Sequence, residues 1–236
     1  MVPVAIGLIY LLRDPAPEVF HADYVVIQEN KLVRIPDSMS LQGAASLVGG
    51  ALTSITALER IADVKPGQQI LVTGATGSVG VTAVQLAVHL GAQVCGICHS
   101  SQVDFLLRQG ATTACAYDRN ELPQPARQFD VVFDTVPSLS FSTCANYLNQ
   151  QGTYITTMPH LDILGFISSL FSRKKWGYLM EADTDARRMS RFLGLIEAGA
   201  FREVIDCIYP LAEAGDAFQR QLKPGKQGKI LIDFNE

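Results

Sequence analysis

The chain has few charged residues, few cysteines and histidines, and an apolar start that is too short to cross a membrane. Charged side chains make up 18% of its 236 residues, and 19 Lys and Arg against 23 Asp and Glu give a net charge of −4. This balance provides no basic surface for nucleic acid. The hydrophobic content of 48% is that of a globular protein with a sizeable core. We expect a small-molecule substrate as partner, and neither nucleic acid nor a membrane.

The apolar start of the chain does not have the pattern of a targeting or membrane segment. It runs from Met1 to Leu12, contains Pro3 and is followed at once by Arg13. Such a stretch is too short to span a bilayer and lacks the basic start of a signal peptide. These features predict a cytoplasmic protein.

The five cysteines are an odd number scattered along the chain, which predicts free thiols. Cys95 and Cys98, followed by His99, match both the spacing of a haem-attachment motif and that of a redox pair. On the strand predicted here, residues three apart point to opposite faces, so we interpret both cysteines as small core residues. Outside this strand, His21, His89 and His160 are isolated, and a metal site is not predicted.

The most informative stretch of the sequence runs from residue 69 to residue 98. The apolar run from Ile70 to Val72 leads into a glycine-rich turn, and a stretch with helical periodicity follows and ends at Gly91. A second apolar run extends from Gln93 to Cys98. Strand, turn, helix and strand in this order predict a parallel β-α-β unit with a right-handed crossover.

The turn reads A-x-G-x-x-G from Ala75 to Gly80, the dinucleotide fingerprint with alanine in its first position. Ala75 is expected to allow the tight turn, Gly77 to let a pyrophosphate approach the backbone, and Gly80 to let the helix lie close to the sheet. The helix N-terminus offers free N–H groups and the positive end of its dipole to phosphates. The candidate cofactor-binding residues of this turn are Ala75, Thr76, Gly77, Ser78, Val79 and Gly80.

Strands and helices continue to alternate after this unit, which predicts an α/β fold with a doubly wound parallel sheet of the Rossmann type. Upstream, two short strands are expected within residues 22 to 35, and helices from Ser40 to about Ile61, interrupted at Gly49-Gly50. The later predicted strands are Ala114–Tyr117, Asp130–Asp134, Thr153–Thr157, Val204–Ile208 and Lys229–Phe234. The later predicted helices are Val103–Gln109, Leu139–Leu148, Asp185–Ala198 and Ala212–Leu222.

The residues after the second strand of the unit favour NADP over NAD. An NAD site usually carries Asp or Glu about twenty residues past the glycines, where it binds the ribose hydroxyls. Here the sequence reads His99-Ser100-Ser101-Gln102. No carboxylate is expected to repel a 2′-phosphate at this place, and two hydroxyls can donate to it. Ser100 and Ser101 are therefore candidate residues for binding NADP(H).

Several segments, in this order, resemble the medium-chain dehydrogenase/reductase superfamily, most closely its zinc-independent quinone oxidoreductase branch. The resemblance extends from about Phe20 to the C-terminus. The segments that carry it are Tyr24–Val26, Leu32–Asp37, Leu52-Thr53, Val64–Gln68 and Val72–Gly80.

The resemblance implies an NADPH-dependent, zinc-free oxidoreductase that transfers hydride to a quinone or an α,β-unsaturated carbonyl compound. It adds Thr53, near the nicotinamide, and Tyr117, beside the 2′-phosphate, to the candidate cofactor residues. Second-rank candidates for the nicotinamide pocket lie at carboxyl ends of strands, where open α/β sheets bind ligands: Asp134, Thr135, Val136, Thr156 and Thr157. No catalytic residue is assigned.

The resemblance also implies the domain organisation. Members of the family begin with most of a GroES-like barrel, of which this chain has only the last strands. We expect a remnant of that domain with connecting helices over residues 1–62, an NADP-binding Rossmann domain over 63–190, and a closing segment over 191–236 that packs back on the catalytic domain. A strand edge left open by the absent barrel wall would favour self-association, so a homodimer is expected.

Two alternatives stay open at this point. A truncated protein could bind NADP(H), as a sensor or partner subunit, without a complete active site. The stretch Thr73–Gly80 also resembles the glycine motif of atypical short-chain dehydrogenases. Catalytic members of that family need Tyr-x-x-x-Lys, in which the lysine lowers the tyrosine pKa, and none of the seven tyrosines has Lys four residues later.

Overall fold

The computed structural model describes residues 4–6, 32–37, 39–123, 128–136, 140–157, 174–179 and 186–234. The strand expected around Tyr24 lies outside these ranges. The strands are β1 Val4–Ile6, β2 Leu32–Arg34, β3 Gln69–Thr73, β4 Gln93–Cys98, β5 Thr113–Ala116, β6 Phe129–Asp134, β7 Leu148–Thr156, β8 Lys175–Tyr178, β9 Ile205–Pro210 and β10 Lys229–Asp233. The α-helices are α1 Leu41–Ile55, α2 Ser78–His89, α3 Val103–Arg108, α4 Phe141–Cys144, α5 Ala186–Glu197 and α6 Ala214–Leu222.

Six parallel strands form the central sheet in the order β5-β4-β3-β6-β7-β8. Counted from β3, this is the order 3-2-1-4-5-6 of the doubly wound dinucleotide-binding fold. The strand order reverses between β3 and β6, and ligands bind such sheets at the carboxyl ends of the strands beside that point. The predicted α/β fold with a Rossmann sheet is confirmed.

Successive side chains of the strands alternate between two hydrophobic cores, one on each face of the sheet. In β3, Ile70 and Val72 join the larger core with residues of α1, α2 and α5, whereas Leu71 joins a second core with Phe141 of α4. Both cores are made of fully or almost fully buried apolar side chains. The sheet is therefore covered by helices on both faces, as a buried parallel sheet requires.

Cys95 and Cys98 of β4 belong to opposite cores, Cys95 to the smaller and Cys98 to the larger. This confirms the interpretation of both as core residues and excludes a shared haem or disulfide for the pair, because their side chains leave the strand on different faces.

Helix α1 begins and continues as the local sequence dictates, with one difference from expectation. Ser40 is its N-cap, and the Ser40 hydroxyl accepts a hydrogen bond from Gly43 N at 2.9 Å. The interruption predicted at Gly49-Gly50 is wrong. A Cβ on Gly50 would lie 2.4 Å from the Ser78 carbonyl oxygen, so this glycine lets α1 pack closely on the first turn of α2.

The stretch Leu41–Ile61, in which α1 continues into a π-helical turn, is long and apolar enough to span a bilayer by composition, with a mean hydropathy of 1.3. Inside the protein, 72% of its most apolar window is buried against the described residues. That burial is typical of a core helix in a globular domain.

The predicted helix Leu139–Leu148 is also wrong in length. Ser140 caps a single turn, α4, and Tyr147 N then donates to Cys144 O at 2.9 Å to close the turn. Leu148 already belongs to β7, where it pairs with Phe129 of β6. Pairing with β6 outweighs the apolar periodicity that predicted a longer helix here.

The closing part of the chain forms its own small sheet. β9 and β10 pair in parallel, and α6 connects them. β10 lies against α1. An isolated parallel bridge joins Gly228, just before β10, to Gly77 in the glycine turn. The C-terminal segment is thereby brought directly over the carboxyl ends of β3 and β4.

Candidate functional site

The glycine turn leaves β3 at Thr73, and Gly74 has φ +57°. Gly77 N donates to Gly74 O at 3.0 Å, so Ala75 is a central residue of this tight turn. Ala75 is fully buried, and its backbone N donates to Ile97 O in β4 at 3.0 Å. Gly74 takes the left-handed conformation that a residue with a Cβ rarely adopts, and Ala75 ties the turn to the neighbouring strand.

Gly80 and Gly77 are glycines for different reasons. A Cβ on Gly80 would lie 2.1 Å from Gly74 O and 2.7 Å from Ala75 Cα, so this residue lets α2 lie close to the strand, as predicted. A Cβ on Gly77 would meet only Gly74 O, at an ordinary 3.4 Å, among the described residues. Packing within the chain does not require glycine at position 77. The space in front of it is available to a ligand.

The N-terminus of α2 faces this same space. Gly77 is the N-cap and provides no side chain to bind the first N–H groups. The first hydrogen bond of the helix runs from Val81 N to Gly77 O at 2.8 Å, so the N–H groups of Ser78, Val79 and Gly80 precede it. Unshared N–H groups and the positive end of the helix dipole fit a pyrophosphate.

Two adjoining clefts meet at the turn, with volumes of about 420 Å³ and 450 Å³. Both are lined by Gly74, Gly77, Val136 and Lys226. The remaining residues of the first cleft are Ser78, Val79, Gly80, Thr135, Ala217, Phe218, Gln221, Gly228, Lys229, Ile230 and Ile232. The remaining residues of the second cleft are Thr73, Thr76, Ile97, Cys98, His99, Tyr117, Leu122, Pro224 and Gly225.

A loop from the closing segment, residues 224–228, forms a wall of both clefts. Gly228 N donates to Thr76 O at 2.7 Å, and the Gln102 side chain donates to Gly225 O at 3.1 Å. Gln227 Nε2 in turn donates to the Gln102 side chain. These contacts fix the loop over the glycine turn. They join positions more than a hundred residues apart in sequence.

An ion pair between Arg220 and Asp206 stabilises this loop. Arg220 donates to both carboxylate oxygens of Asp206, at 2.7 Å and 2.9 Å, and also to the carbonyls of Pro224 and Gly225. Asp206 accepts a further bond from Gln227 N at 2.8 Å. Burial acts to raise the pKa of Asp206, but the hydrogen bonds from Arg220 and Gln227 outweigh it and lower the pKa below 3.8.

Two lysines bring positive charge to the first cleft. Lys226 lies on the loop and Lys229 follows at the start of β10, and both line the cleft beside the N-terminus of α2. Burial lowers the pKa of the Lys229 ammonium. The sequence analysis missed both. The only signal for them is the Gly225–Lys229 stretch, Gly-Lys-Gln-Gly-Lys, whose location over the turn depends on long-range contacts.

At the outer end of the second cleft, the structure corrects a premise of the sequence analysis. No carboxylate was expected beside Ser100 and Ser101, but Asp118, which follows β5, is there. Its two carboxylate oxygens accept from Ser100 N and from the Ser100 hydroxyl, each at 2.7 Å. The Ser101 hydroxyl is hydrogen-bonded to His99 Nδ1 at 2.9 Å. The hydrogen bond from the Ser100 hydroxyl lowers the pKa of Asp118.

Tyr117 and His99 form a lining wall of the second cleft at this end. Their rings meet edge to face, with centroids 5.8 Å apart. Tyr117 is thus in the place expected of a residue at the ribose end of a dinucleotide site. Half of its surface is exposed, which leaves its face available for contact.

The remaining candidates are divided between the clefts and the interior. Thr135 and Val136 line the first cleft. Asp134 is fully buried and accepts hydrogen bonds from Thr73 Oγ1 and Tyr154 Oη, which tie the ends of β3, β6 and β7 together. Thr53 is not among the described residues that line the two clefts, and its hydroxyl donates to Gly49 O within α1 at 2.7 Å.

Thr156 and Thr157 lie beside this buried junction. Thr156 is buried at the end of β7 in register with Asp134, and the Thr157 hydroxyl donates to Thr135 O at 3.4 Å. Neither is among the residues that line the two clefts. Their contacts support the strand ends from which Thr135 and Val136 reach the first cleft.

Metal-ligating and nucleophilic groups are sparse in this region. Within the described ranges, no three His, Cys, Asp or Glu side chains are grouped so as to hold a metal ion. Cys98 lines the second cleft, and burial raises its pKa to about 11. A thiol with this pKa is protonated at neutral pH and is a poor nucleophile.

The sheet order, the glycine turn at the point where that order reverses, and the two clefts define a dinucleotide-binding fold of the Rossmann type. The family model for zinc-binding dehydrogenases matches residues 109–232, more than half of the chain. The chain therefore belongs to this family, in the quinone oxidoreductase-like branch of the medium-chain dehydrogenase/reductase superfamily. Membership excludes the short-chain dehydrogenase alternative.

Relatives and solved structures agree with this assignment. A chloroplast envelope quinone oxidoreductase homolog from Arabidopsis thaliana is 28% identical over 223 residues, which are 90% of this chain and 68% of that protein. The mitochondrial NAD(P)H oxidoreductase RTN4IP1 of Mus musculus is 23% identical over 242 residues, 90% of this chain and 60% of that protein. The quinone oxidoreductase of Coxiella burnetii has the same fold, with a TM-score of 0.77, 22% identity, and coverage of 86% of this chain and 64% of that chain.

The chain spans 60% to 68% of the length of these relatives.

Proposed function

We propose that this protein binds a reduced nicotinamide dinucleotide and reduces a quinone or an α,β-unsaturated carbonyl compound by hydride transfer. The observation that carries the proposal is Gly77. Its position in front of the α2 N-terminus, with open space where a Cβ would project, is explained by a bound pyrophosphate and not by packing. When bound, the dinucleotide supplies the hydride, so the protein needs little acid or base chemistry of its own.

The chain's own groups have separable roles in this proposal. The N–H groups of Ser78, Val79 and Gly80 would hold the pyrophosphate, with Lys226 and Lys229 offsetting its charge. The ends of β4 and β5 would hold the adenosine ribose in the second cleft. No catalytic side chain is assigned.

The lining of the first cleft supports an apolar, flat acceptor. Its walls include Val136, Phe218, Ile230 and Ile232, and its polar groups are concentrated at the glycine turn and the two lysines. Phe218 is 62% exposed, which is unusual for a phenylalanine without a partner surface. A quinone or enone ring would cover it.

Both reduced dinucleotides are candidates for the hydride donor. The hydroxyls of Ser100 and Ser101 support NADPH, as predicted from the sequence. The carboxylate of Asp118, which takes both donors of Ser100, supports NADH.

The test is a titration of the purified protein with NADPH and with NADH, followed by their fluorescence, with 1,4-benzoquinone or an enone then added to the same cuvette. Binding followed by oxidation of the dinucleotide is the expected result. A folded protein that binds neither dinucleotide would refute the proposal.

A second candidate is a dinucleotide-binding protein without turnover, acting as a sensor or partner subunit. The observation that favours it is that the described residues lining the first cleft include no side chain to which a catalytic role is assigned. It predicts binding in the same titration and no oxidation with any acceptor. We further propose a homodimer in the cytoplasm, which light scattering and fractionation would test.

A further inference from the structure

The outer end of the second cleft has an arrangement that the sequence pattern does not suggest. Asp118 Oδ1 accepts from Ser100 N and Asp118 Oδ2 accepts from the Ser100 hydroxyl, both at 2.7 Å. The turn after β4 and the turn after β5 are locked together by these two bonds. Both donors of Ser100, the residue expected to bind a 2′-phosphate, are thereby already in use.

Ser100 and Asp118, which these two hydrogen bonds join, are adjacent in sequence to residues that line the cleft. His99 precedes Ser100 and Tyr117 precedes Asp118, and both His99 and Tyr117 are lining residues. In dinucleotide-binding folds, the adenosine ribose lies at the carboxyl end of the second strand, which is β4 here. The Asp118 carboxylate is therefore presented where the 2′ position of that ribose is recognised.

The Asp118 carboxylate can accept further hydrogen bonds from a ligand. An ionised carboxylate has about four lone-pair sites, of which Ser100 takes two. The Asp118 side chain is 28% exposed, so its remaining acceptor sites are reachable from solvent. Two free acceptor sites suit the 2′ and 3′ hydroxyls of a ribose.

The same group is unfavourable for a 2′-phosphate, which carries negative charge itself. The nearest basic side chain among the described contacts is His99, whose Nε2 lies 3.6 Å from Asp118 Oδ2, beyond hydrogen-bonding distance. Ser101 and Gln102 occupy the loop after β4, and they bring no cation to it. To receive a hydrogen bond from the Ser100 hydroxyl, a phosphate would have to displace Asp118.

We propose that Asp118 makes this site select NADH over NADPH, a choice that rests on the proposed function. The carboxylate that NAD sites commonly carry on the second strand is supplied here by the turn after the third strand, β5. Ser100 orients it by donating from its backbone and its hydroxyl. This inference reverses the NADP preference predicted from Ser100 and Ser101.

The test compares dissociation constants of NADH and NADPH, and of 5′-AMP and 2′,5′-ADP, at pH 8. The two adenosine fragments differ only in the 2′-phosphate, and they isolate the ribose end from the nicotinamide and from turnover. The unmodified protein should bind NADH and 5′-AMP at least about tenfold more tightly than their 2′-phosphorylated counterparts, because the carboxylate and the phosphate repel each other.

Asp118→Asn removes the charge and keeps a hydrogen-bond acceptor, and should lower that preference about tenfold. Asp104→Asn, which removes an exposed carboxylate on α3, is the matched control and should leave the ratio unchanged. Arg119→Gln tests the competing assignment, in which the neighbouring guanidinium binds the 2′-phosphate.

Tighter binding of NADPH by the unmodified protein would overturn the inference and leave the proposed function intact. An unchanged ratio in Asp118→Asn, with an unchanged melting temperature, would overturn it as well, as would a loss of NADPH affinity alone in Arg119→Gln. If neither a dinucleotide nor either adenosine fragment bound to the folded protein, the proposed function itself would fail, and this inference with it.

Discussion

Replacement of Gly77 by alanine separates the folding role of the glycine turn from its ligand-binding role. Gly77 has φ −73° and ψ 174°, which alanine adopts without strain, and its new Cβ would meet only Gly74 O at 3.4 Å. Alanine is a poorer N-cap than glycine by about 1 kcal/mol. Alanine leaves the unfolded chain with less conformational entropy than glycine does, and this difference stabilises the folded protein by about 0.4–1 kcal/mol. The free energy of unfolding should therefore change by less than about 1 kcal/mol.

Dinucleotide binding by Gly77→Ala should respond quite differently. The methyl group would occupy the space through which a pyrophosphate reaches the N–H groups of α2. Loss of one hydrogen bond to a charged group costs about 1.5–3 kcal/mol, which is roughly a 10- to 100-fold rise in the dissociation constant. Urea unfolding and a fluorescence titration with NADH and NADPH measure the two effects on the same preparation.

Two further glycines provide the controls. Gly80→Ala would place a Cβ 2.1 Å from Gly74 O, and such overpacking against backbone should cost about 3 kcal/mol of stability. Gly194→Ala, in α5 with no atom within 4 Å of the new Cβ, should raise stability by up to about 1 kcal/mol and leave binding unchanged. If Gly77→Ala bound the dinucleotide as tightly as the unmodified protein, the assignment of a pyrophosphate to this space would be refuted.

Three other measurements test the site. Lys229→Gln should weaken dinucleotide binding about tenfold through loss of a cation. It should not lower the melting temperature, because burial already disfavours the charged ammonium. Unchanged affinity would show that Lys229 does not belong to the site. Asp206→Asn should cost about 2 kcal/mol by weakening its bonds to Arg220. Because the pKa of Asp206 is lowered on folding, this contribution is complete above its ordinary pKa of 3.8 and disappears as the pH falls through the lower folded-state pKa, so acid titrations of the two proteins should converge. With a pKa of about 11, Cys98 should react with iodoacetamide at pH 8 at least about tenfold more slowly in the folded protein than in urea, and equal rates would contradict its burial.

Local patterns in the sequence were sufficient to predict the central fold. The apolar run Ile70–Val72, the glycine turn and the helix ending at Gly91 each carry short-range signals of period and turn chemistry. In the structure they are β3, the turn and α2, and Gly91 has φ +79° where the helix ends. The alternation of later strands and helices sufficed in the same way for the parallel sheet.

The errors fall where a contact distant in sequence decides the outcome. Gly49-Gly50 has the composition of a helix break, but Gly50 is small because Ser78 of α2 packs against it. The prediction that Thr53 lies near a nicotinamide is untested, and in the structure its hydroxyl donates to Gly49 O one helical turn earlier. Neither Ser78 nor the path of α1 over α2 can be inferred from the residues around position 50.

The same reasoning explains why the charged groups of the site were missed. Asp118 reaches Ser100 because β4 and β5 are neighbours in register, with Cys98 opposite Ala116. Fingerprint rules inspect the end of the second strand alone, and so they find His99 and the two serines but not the carboxylate that arrives from the next strand. The premise of an acid-free ribose end followed from that restriction.

The closing segment determines both the charge and the shape of the site. The loop 224–228 hydrogen-bonds to Thr76 in the glycine turn and, through Gln102, to the start of α3, so it touches the regions expected to hold the pyrophosphate and the ribose. The ion pair between Asp206 and Arg220 holds the loop there. Among the residues that the structure describes, those that line the two clefts lie between Thr73 and Ile232. Dinucleotide binding by these residues can be measured separately from the acceptor chemistry proposed for the first cleft.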